Sequence, residues 1–217
     1  MELSKKSLIN YLDKLKKHLL INKKKIILSY IMFFVTFIIF FTIDQLTKNI
    51  LFVHGDIKTL KEGFNGHLYV FLPDNRELLV ESIWEDTIKN YSIIGIRSIW
   101  HGSTTFLSTR NTNTIQSISI IFLILLPFFI LIPSKHFLWQ SFFIGLILSG
   151  NAGNMTDRFF FAGYVKDIFY FPFFKSSGTF NFADVAIILG ITGMVILSIT
   201  GYFIGQNKTK NINHLVI

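Results

Sequence analysis

The 217-residue chain contains no cysteine, only four prolines, and charge on just 16% of its positions. Without cysteine there is no disulfide framework, no thiol nucleophile, no iron–sulfur cluster and no thiolate zinc site. Six histidines, His18, His54, His67, His101, His136 and His214, are scattered without an HExxH or comparable ligand spacing, which argues against metal-dependent hydrolysis. No serine sits in a GxSxG context, no Gly-rich phosphate loop is present, and no repeat of fixed period runs through the chain. No metal and no cofactor are therefore expected.

Apolar side chains are abundant instead. They make up 51% of the chain, phenylalanine alone fills 25 positions, and the mean hydropathy is positive. At this length such a composition describes one compact polytopic membrane protein. Four stretches, about 26–43, 115–132, 137–153 and 182–204, approach the roughly 20 apolar residues that a helix needs to cross a bilayer. The third ends in Ser149, Gly150, Asn151 and Asn154, so its far end must face protein or water. The first runs on into FTIDQLTKN with no small-residue cleavage site and is expected to stay as an anchor.

The formal charge of +8 is local. Eight lysines (Lys5, Lys6, Lys14, Lys16, Lys17, Lys23, Lys24 and Lys25) precede the first span, Lys135 separates the second from the third, and Lys208 and Lys210 follow the last. This pattern argues against a nucleic-acid surface and, by the positive-inside rule, puts both termini in the cytoplasm. Residues 1–25 form a basic amphipathic cytoplasmic segment, with Leu8, Leu12, Leu15 and Leu19 at helical spacing, that either lies on an anionic leaflet or stands solvated. The membrane domain takes 26–204 and a cytoplasmic tail 205–217, leaving 49–113 and 154–181 outside. Within 49–113, HLYVFLP and YSIIGIRSIW read as strands with a turn at Pro73-Asp74-Asn75. The run 159–174, FFFAGYVKDIFYFPFF, holds nine aromatic rings together with Gly163, Lys166, Asp167 and Pro172, and reads as an interfacial segment. The expected fold is an all-α membrane protein of four transmembrane helices, with a small extracytoplasmic β-rich loop region.

Ionisable groups are costly at such positions and mark function. Asp44 and Lys48, four apart at the end of the first span, have the spacing of an ion pair that either anchors the helix or serves a site. Asp157-Arg158 reads as a helix-end network in which the guanidinium fixes a carboxylate. Asp184, in TFNFADVAI, stands where the fourth helix enters the membrane, the place of an N-terminal cap. Asp167 and Asp184 lack a cation at helical spacing, apart from the adjacent Lys166, whose side chain should point elsewhere. The turn through Pro172, Ser176, Ser177 and Gly178 is long enough to bring the two acids together. Two carboxylates at one spot are the arrangement of an aspartic protease: one takes a proton from water while the other, protonated, polarises the scissile carbonyl.

DQLTK (44–48), SGNAGNMTDRFFFAGYVKDIF (149–169) and TFNFADVAI (179–187), in this order on a four-span chain, resemble the bacterial lipoprotein signal peptidases, the signal peptidase II family. The resemblance implies an aspartic endopeptidase of the bacterial cytoplasmic (inner) membrane that removes signal peptides from prolipoproteins at the extracytoplasmic face, cutting before the diacylglyceryl-modified cysteine. Its partners would be diacylglyceryl-modified prolipoproteins and membrane lipids, with no nucleic acid, and a monomer is expected. By the same resemblance Asp167 and Asp184 match the catalytic pair, while Asp44, Lys48, Asn154, Arg158 and Asn181 match positions that shape or support the site; Asp157 would be held by Arg158.

The chain departs from the family pattern in two places. SGNAGN stands for a GGAxGN-type run, and HGSTTF (101–106) for the Asn-x-Gly-Ala-Ala-Phe element of the first outer loop. With Phe106 as anchor, His101 replaces an asparagine and Ser103 a glycine, so His101 is a candidate residue on the substrate side. Two rival readings use the same acids. A proton-coupled transporter would place them near the midplane among broken helices in paired halves. A catalytically inactive relative that binds lipoprotein precursors draws on the altered HGSTTF element.

Overall fold

The computed structural model describes residues 2–63, 67–102, 111–132, 134–174 and 178–213. An N-terminal helix, α1 (Glu2–Ile21), passes through a single non-helical residue, Asn22, into α2 (Lys23–Leu51). Neither glycine nor proline interrupts the 29 residues of α2. At 1.5 Å per residue it is about 44 Å long, well beyond a hydrocarbon core of about 30 Å. The surplus turns carry Asp44 and Lys48.

A β-rich region follows. Strands β1 (Asp56–Glu62), β2 (Leu68–Phe71) and β3 (Glu77–Leu79) form an antiparallel sheet in that order, with Pro73 and Asp74 in the turn between β2 and β3. Asn75 closes that turn at φ 64°, a conformation asparagine tolerates better than most residues. A second sheet, in order, joins β4 (Lys89–Tyr91), β5 (Ile94–His101) and β6 (Val165–Tyr170). Between β5 and β6 the chain makes α3 (Thr112–Leu125), which tightens into a 3-10 segment at Leu126–Leu131 beside Pro127, and then α4 (Phe137–Phe160). The last element is α5 (Phe182–Asn213).

One expectation is corrected here. The chain is mixed α/β and not all-α, because the two three-stranded sheets are ordered elements of the fold. The centre of the aromatic run 159–174 is strand β6, paired to β5 with Ile99 opposite Asp167 and Trp100 opposite Lys166. The physical reason is pairing. A β-branched and aromatic hexapeptide, VKDIFY, has its backbone groups satisfied once a strand 66 residues earlier lies beside it. The turn from α4 into β6 uses Ala162 and Gly163 at positive φ (50° and 90°).

Among the described residues three helices are long and apolar enough to cross a membrane: Lys23–Leu51, Thr112–Leu131 and Phe182–Gly201. Their outward faces stay apolar and exposed, as at Phe34, Ile38, Phe122, Ile124, Ile188 and Ile196. Helix α4 differs, since its C-terminal half carries Asn151, Asn154, Asp157 and Arg158, and it packs against both α2 and α5. Among the described residues there are two buried hydrophobic clusters. Phe33, Ile130, Ile144 and Leu148 fill the space among the helices, and Ile57, Val70, Val80 and Trp100 pack at the strands.

The approach of α4 to α5 depends on a missing side chain. A Cβ at Gly150 would run into the carbonyl oxygen of Ala183 and lie 2.7 Å from Ile187 Cγ1. The obstructing group is backbone at the start of α5, so it cannot swing aside. Gly150→Ala is expected to cost about 1–3 kcal/mol of stability, read as a lowered thermal unfolding midpoint in detergent. An unchanged midpoint would mean that the helix separation is set elsewhere.

Candidate active site

Lys48 is buried to 1% exposure, where an ammonium group persists only if its donors are all used. Three oxygens receive them: Asp44 Oδ2 at 2.9 Å, one helical turn back, and Asp157 Oδ2 at 2.9 Å and Asn154 Oδ1 at 3.0 Å, both from α4. Each partner hands the constraint on. Asp44 Oδ1 accepts the backbone N–H of Ala183 at 2.8 Å, one of the donors that the start of α5 leaves without a helical partner. Asp157 Oδ2 accepts the backbone N–H of Lys166 at 3.1 Å, gripping β6 one residue before Asp167. Asn154 turns its amide to Asp184 and donates to Oδ1 at 2.9 Å.

Asn181 closes the arrangement. It directly precedes α5, and its Oδ1 accepts the N–H of Asp184 at 2.9 Å while Asp184 Oδ2 accepts the N–H of Asn181 at 3.2 Å. This reciprocal pair is a capping box, with asparagine at the cap and aspartate three residues on. Asp184 is therefore not the cap itself, as its position suggested, but the acid that answers it. The Asn181 amide donates twice, to Asp167 Oδ1 at 2.7 Å and to Asn154 Oδ1 at 3.0 Å. One fully buried residue thus bonds both carboxylates, Asp167 through its side-chain amide and Asp184 through its backbone N–H.

The strand pairing explains which way Asp167 faces. On β6, Val165 and Asp167 share a face, and His101 lies opposite Val165, so His101 and Asp167 are diagonal neighbours across the ladder. His101 Nδ1 stands 2.9 Å from Asp167 Oδ2. Lys166 takes the other face with Trp100, its Nζ 4.3 Å from the Phe161 ring centre and 3.3 Å from Asn49 Oδ1.

Burial pushes the Asp167 carboxyl up to about 6; the His101 hydrogen bond opposes this, and the negative charge of Asp184 adds to it. The His101 imidazole is raised in turn, chiefly by its hydrogen bond to Asp167. The two acids are unequal in setting: Asp167 is 2% exposed, whereas Asp184 is only partly buried. A buried carboxyl whose proton is held more tightly than usual, beside one in a wetter setting, can divide acid and base work between them.

All nine residues singled out in the sequence meet in this cluster, with one pairing changed. Asp157 is held by Lys48, not by Arg158, whose Nη1 instead reaches the Asn154 carbonyl at 3.4 Å. Neighbours on a helix point some 100° apart, so adjacency in sequence was the wrong cue. Two supporting residues had no local signal. Gln45 donates to Asp44 Oδ2 at 3.0 Å and to the Gly153 carbonyl at 3.3 Å. Arg97 donates to Thr179 Oγ1 at 2.7 Å and lies over the Tyr170 ring, steadying the turn before Asn181. Ser103 and Phe106 of HGSTTF, and Ser176 and Ser177 of the connecting turn, lie outside the described residues. Among the described residues no group of three His, Asp or Glu side chains converges as a metal site.

Comparison with known proteins gives a consistent picture. The sequence profile described as "Signal peptidase (SPase) II" matches residues 36–200. The chain is 30% identical over 145 residues to the lipoprotein signal peptidase of Malacoplasma penetrans, covering 60% of this chain and 58% of that one. It is 31% identical over 133 residues to that of Borrelia turicatae, covering 56% and 73%. In the solved structures, a bacterial membrane enzyme determined by the in meso method at 2.3 Å superposes with a TM-score of 0.55 at 21% identity, over 77% of this chain and 87% of that one.

Replacing Lys48 tests whether the cluster is one unit. Lys48→Met strands two buried carboxylates, a defect of about 3–5 kcal/mol, and is expected to lower the unfolding midpoint sharply. Adding Asp44→Asn and Asp157→Asn should return part of the loss. A single variant as stable as the parent would show that these charges do not depend on one another.

Proposed function

The chain belongs to the signal peptidase II family, and on that footing we propose that it is an aspartic endopeptidase of the bacterial cytoplasmic membrane that removes signal peptides from prolipoproteins, cutting before the diacylglyceryl-modified cysteine. The observation that carries this reading is the pair Asp167 and Asp184, joined through Asn181, with one member buried and its carboxyl pushed up to about 6.

The division of labour follows from the two environments. Asp184 sits in the first turn of α5, where the helix dipole favours an anion, and accepts hydrogen bonds from Asn154 and Asn181. It takes a proton from the attacking water as the new C–O bond forms. Asp167 donates its proton toward the carbonyl oxygen, stabilising the tetrahedral intermediate. As the C–N bond breaks, the proton held by Asp184 passes to the leaving amine, and the proton lent by Asp167 returns when the carbonyl reforms. Asn154 and Asn181 hold both carboxylates in place throughout.

Membrane placement agrees with this chemistry. With α4 as a fourth crossing, the basic flanks keep both termini cytoplasmic. The acids then face outward where 49–113 meets 154–181. Residues 1–25 and 205–217 stay on the cytoplasmic side, and a single chain carries every residue of the site. A lipidated substrate keeps its acyl chains in the bilayer while its peptide bond reaches the outer ends of the helices.

Purified protein in detergent should cleave a lipidated prolipoprotein. Asp167→Asn and Asp184→Asn should each lower turnover by about 10²–10⁴-fold, and the double variant little further, since residues acting as a unit are not additive. Substantial turnover by either single variant would remove the assignment.

A pH profile tests His101. Protonated, it stabilises the ionised form of Asp167, the acid that must hold a proton in this scheme, so His101→Asn should shift the alkaline limb of the profile upward relative to the parent. Because the imidazole is raised above its ordinary value, the two curves should converge only some way above about pH 6.5. Superimposed curves at every pH would take His101 out of the site.

A further inference from the structure

No step of the proteolysis uses helix α1. Its end is nevertheless fixed to the bundle: His18 Nε2 lies 3.1 Å from the Leu131 carbonyl oxygen, at the close of the 3-10 segment that follows α3. The residues around that point are apolar and exposed, with Phe128 and Phe129 on the 3-10 segment, Ile132 just after it and Trp139 in the first turn of α4. An apolar surface that ends in an exposed tryptophan marks the depth of a bilayer's headgroups. Helix α1 therefore meets the bundle at a membrane surface.

The helix has two faces. At about 100° per residue, Leu12, Leu15 and Leu19 fall within about 60° of one another, Asn10, Lys14 and Lys17 lie opposite, and Lys16 flanks the stripe. His18 points roughly a quarter turn away from the stripe, so the bundle lies beside α1 and does not cover the leucines. Leu12 and Leu15 are accordingly exposed. So are Lys14, Lys16 and Lys17, then Lys23, Lys24 and Lys25 past the break at Asn22, and Lys135 in the connector after Leu131. Among the described residues none of these lysines takes part in an ion pair, and Asp13 is the only acid between positions 10 and 25. A second copy of the chain would bring the same positive charge to the stripe and be repelled. A surface of phosphates satisfies both faces, since lysine stems lie along an apolar boundary while their ammonium groups reach the headgroups.

We propose that α1 is an in-plane anchor that binds anionic phospholipid headgroups of the leaflet from which α2 starts, with Leu12 and Leu15 in the acyl boundary and the lysines on the phosphates. This anchoring needs α2 to cross the membrane but does not need the acid pair.

Because the chain has no cysteine, a single spin label can be attached to the full-length protein at Leu15→Cys or, on the opposite face, at Asn10→Cys. Each labelled protein is placed in nanodiscs of phosphatidylcholine alone or with about one-third phosphatidylglycerol. Collisions of the label with oxygen, which concentrates in lipid, are compared with those of a water-soluble nickel chelate. Phosphatidylglycerol should raise the oxygen-to-nickel ratio at Leu15 roughly five-fold and leave Asn10 in water. High salt should reverse the rise. Combining Lys14→Gln, Lys16→Gln, Lys17→Gln, Lys23→Gln, Lys24→Gln and Lys25→Gln keeps residues of similar helix propensity and should abolish it. A ratio at Leu15 no higher than at Asn10, the same ratio in both lipid compositions, or a rise that survives the six substitutions would each overturn the anchor. Spin–spin broadening at Leu15 that grows with the number of protein copies per disc would overturn it too, assigning the stripe to a second copy of the chain.

Discussion

The rest of the structure depends on one buried ammonium group. Lys48 spends its three donors on Asp44, Asp157 and Asn154, and each of the three is also bonded to an element that carries an acid of the pair. Asp44 holds the first turn of α5, on which Asp184 sits; Asp157 holds β6 at the residue before Asp167; Asn154 touches Asp184 itself. A buried ion pair adds little net stability, because the cost of removing the charges from water offsets their attraction. Breaking one is expensive, since the survivor is left uncompensated. That asymmetry makes the cluster a device for holding α2, α4, α5 and β6 in one relative position.

The same economy of groups appears at Asn181. It caps a helix, bridges to Asp167 and meets Asn154, using both amide hydrogens and the carbonyl. An apolar residue there would leave buried acceptors unsatisfied at several points at once. Asp184 likewise serves the capping box with one oxygen and the Asn154 amide with the other. The site is therefore continuous with the hydrogen bonding that starts α5, and its precision is that of the helix end.

The outer sheets supply what the helices lack. A membrane helix presents a backbone already satisfied internally, so it offers side chains only in its own direction. Strand β6, paired with β5, delivers Asp167 and His101 to one face while sending Lys166 and Trp100 to the other. The alternation of a strand separates two oppositely charged neighbours, Lys166 and Asp167, that a helix would have left about 100° apart. Trp100 also anchors the sheets to each other's core, donating to the Gly55 carbonyl at 3.1 Å.

Much was legible in the chain itself, wherever the determinant is local or periodic. Hydrophobic length marks three helices long and apolar enough to cross a membrane among the described residues, and four-residue spacing predicts the Asp44–Lys48 pair that forms at 2.9 Å. The three acid-bearing motifs identify the family before any coordinate is known. Tertiary structure alone decided the rest, because it concerns partners far apart in sequence. That Asp157 belongs to Lys48 and not to Arg158, that Asp44 caps a helix 139 residues away, and that VKDIFY is a strand all depend on what another segment places beside them. Local sequence states which groups need a partner. Only the fold, by bringing distant donors and acceptors within bonding distance in a medium without water, determines which partner each one takes.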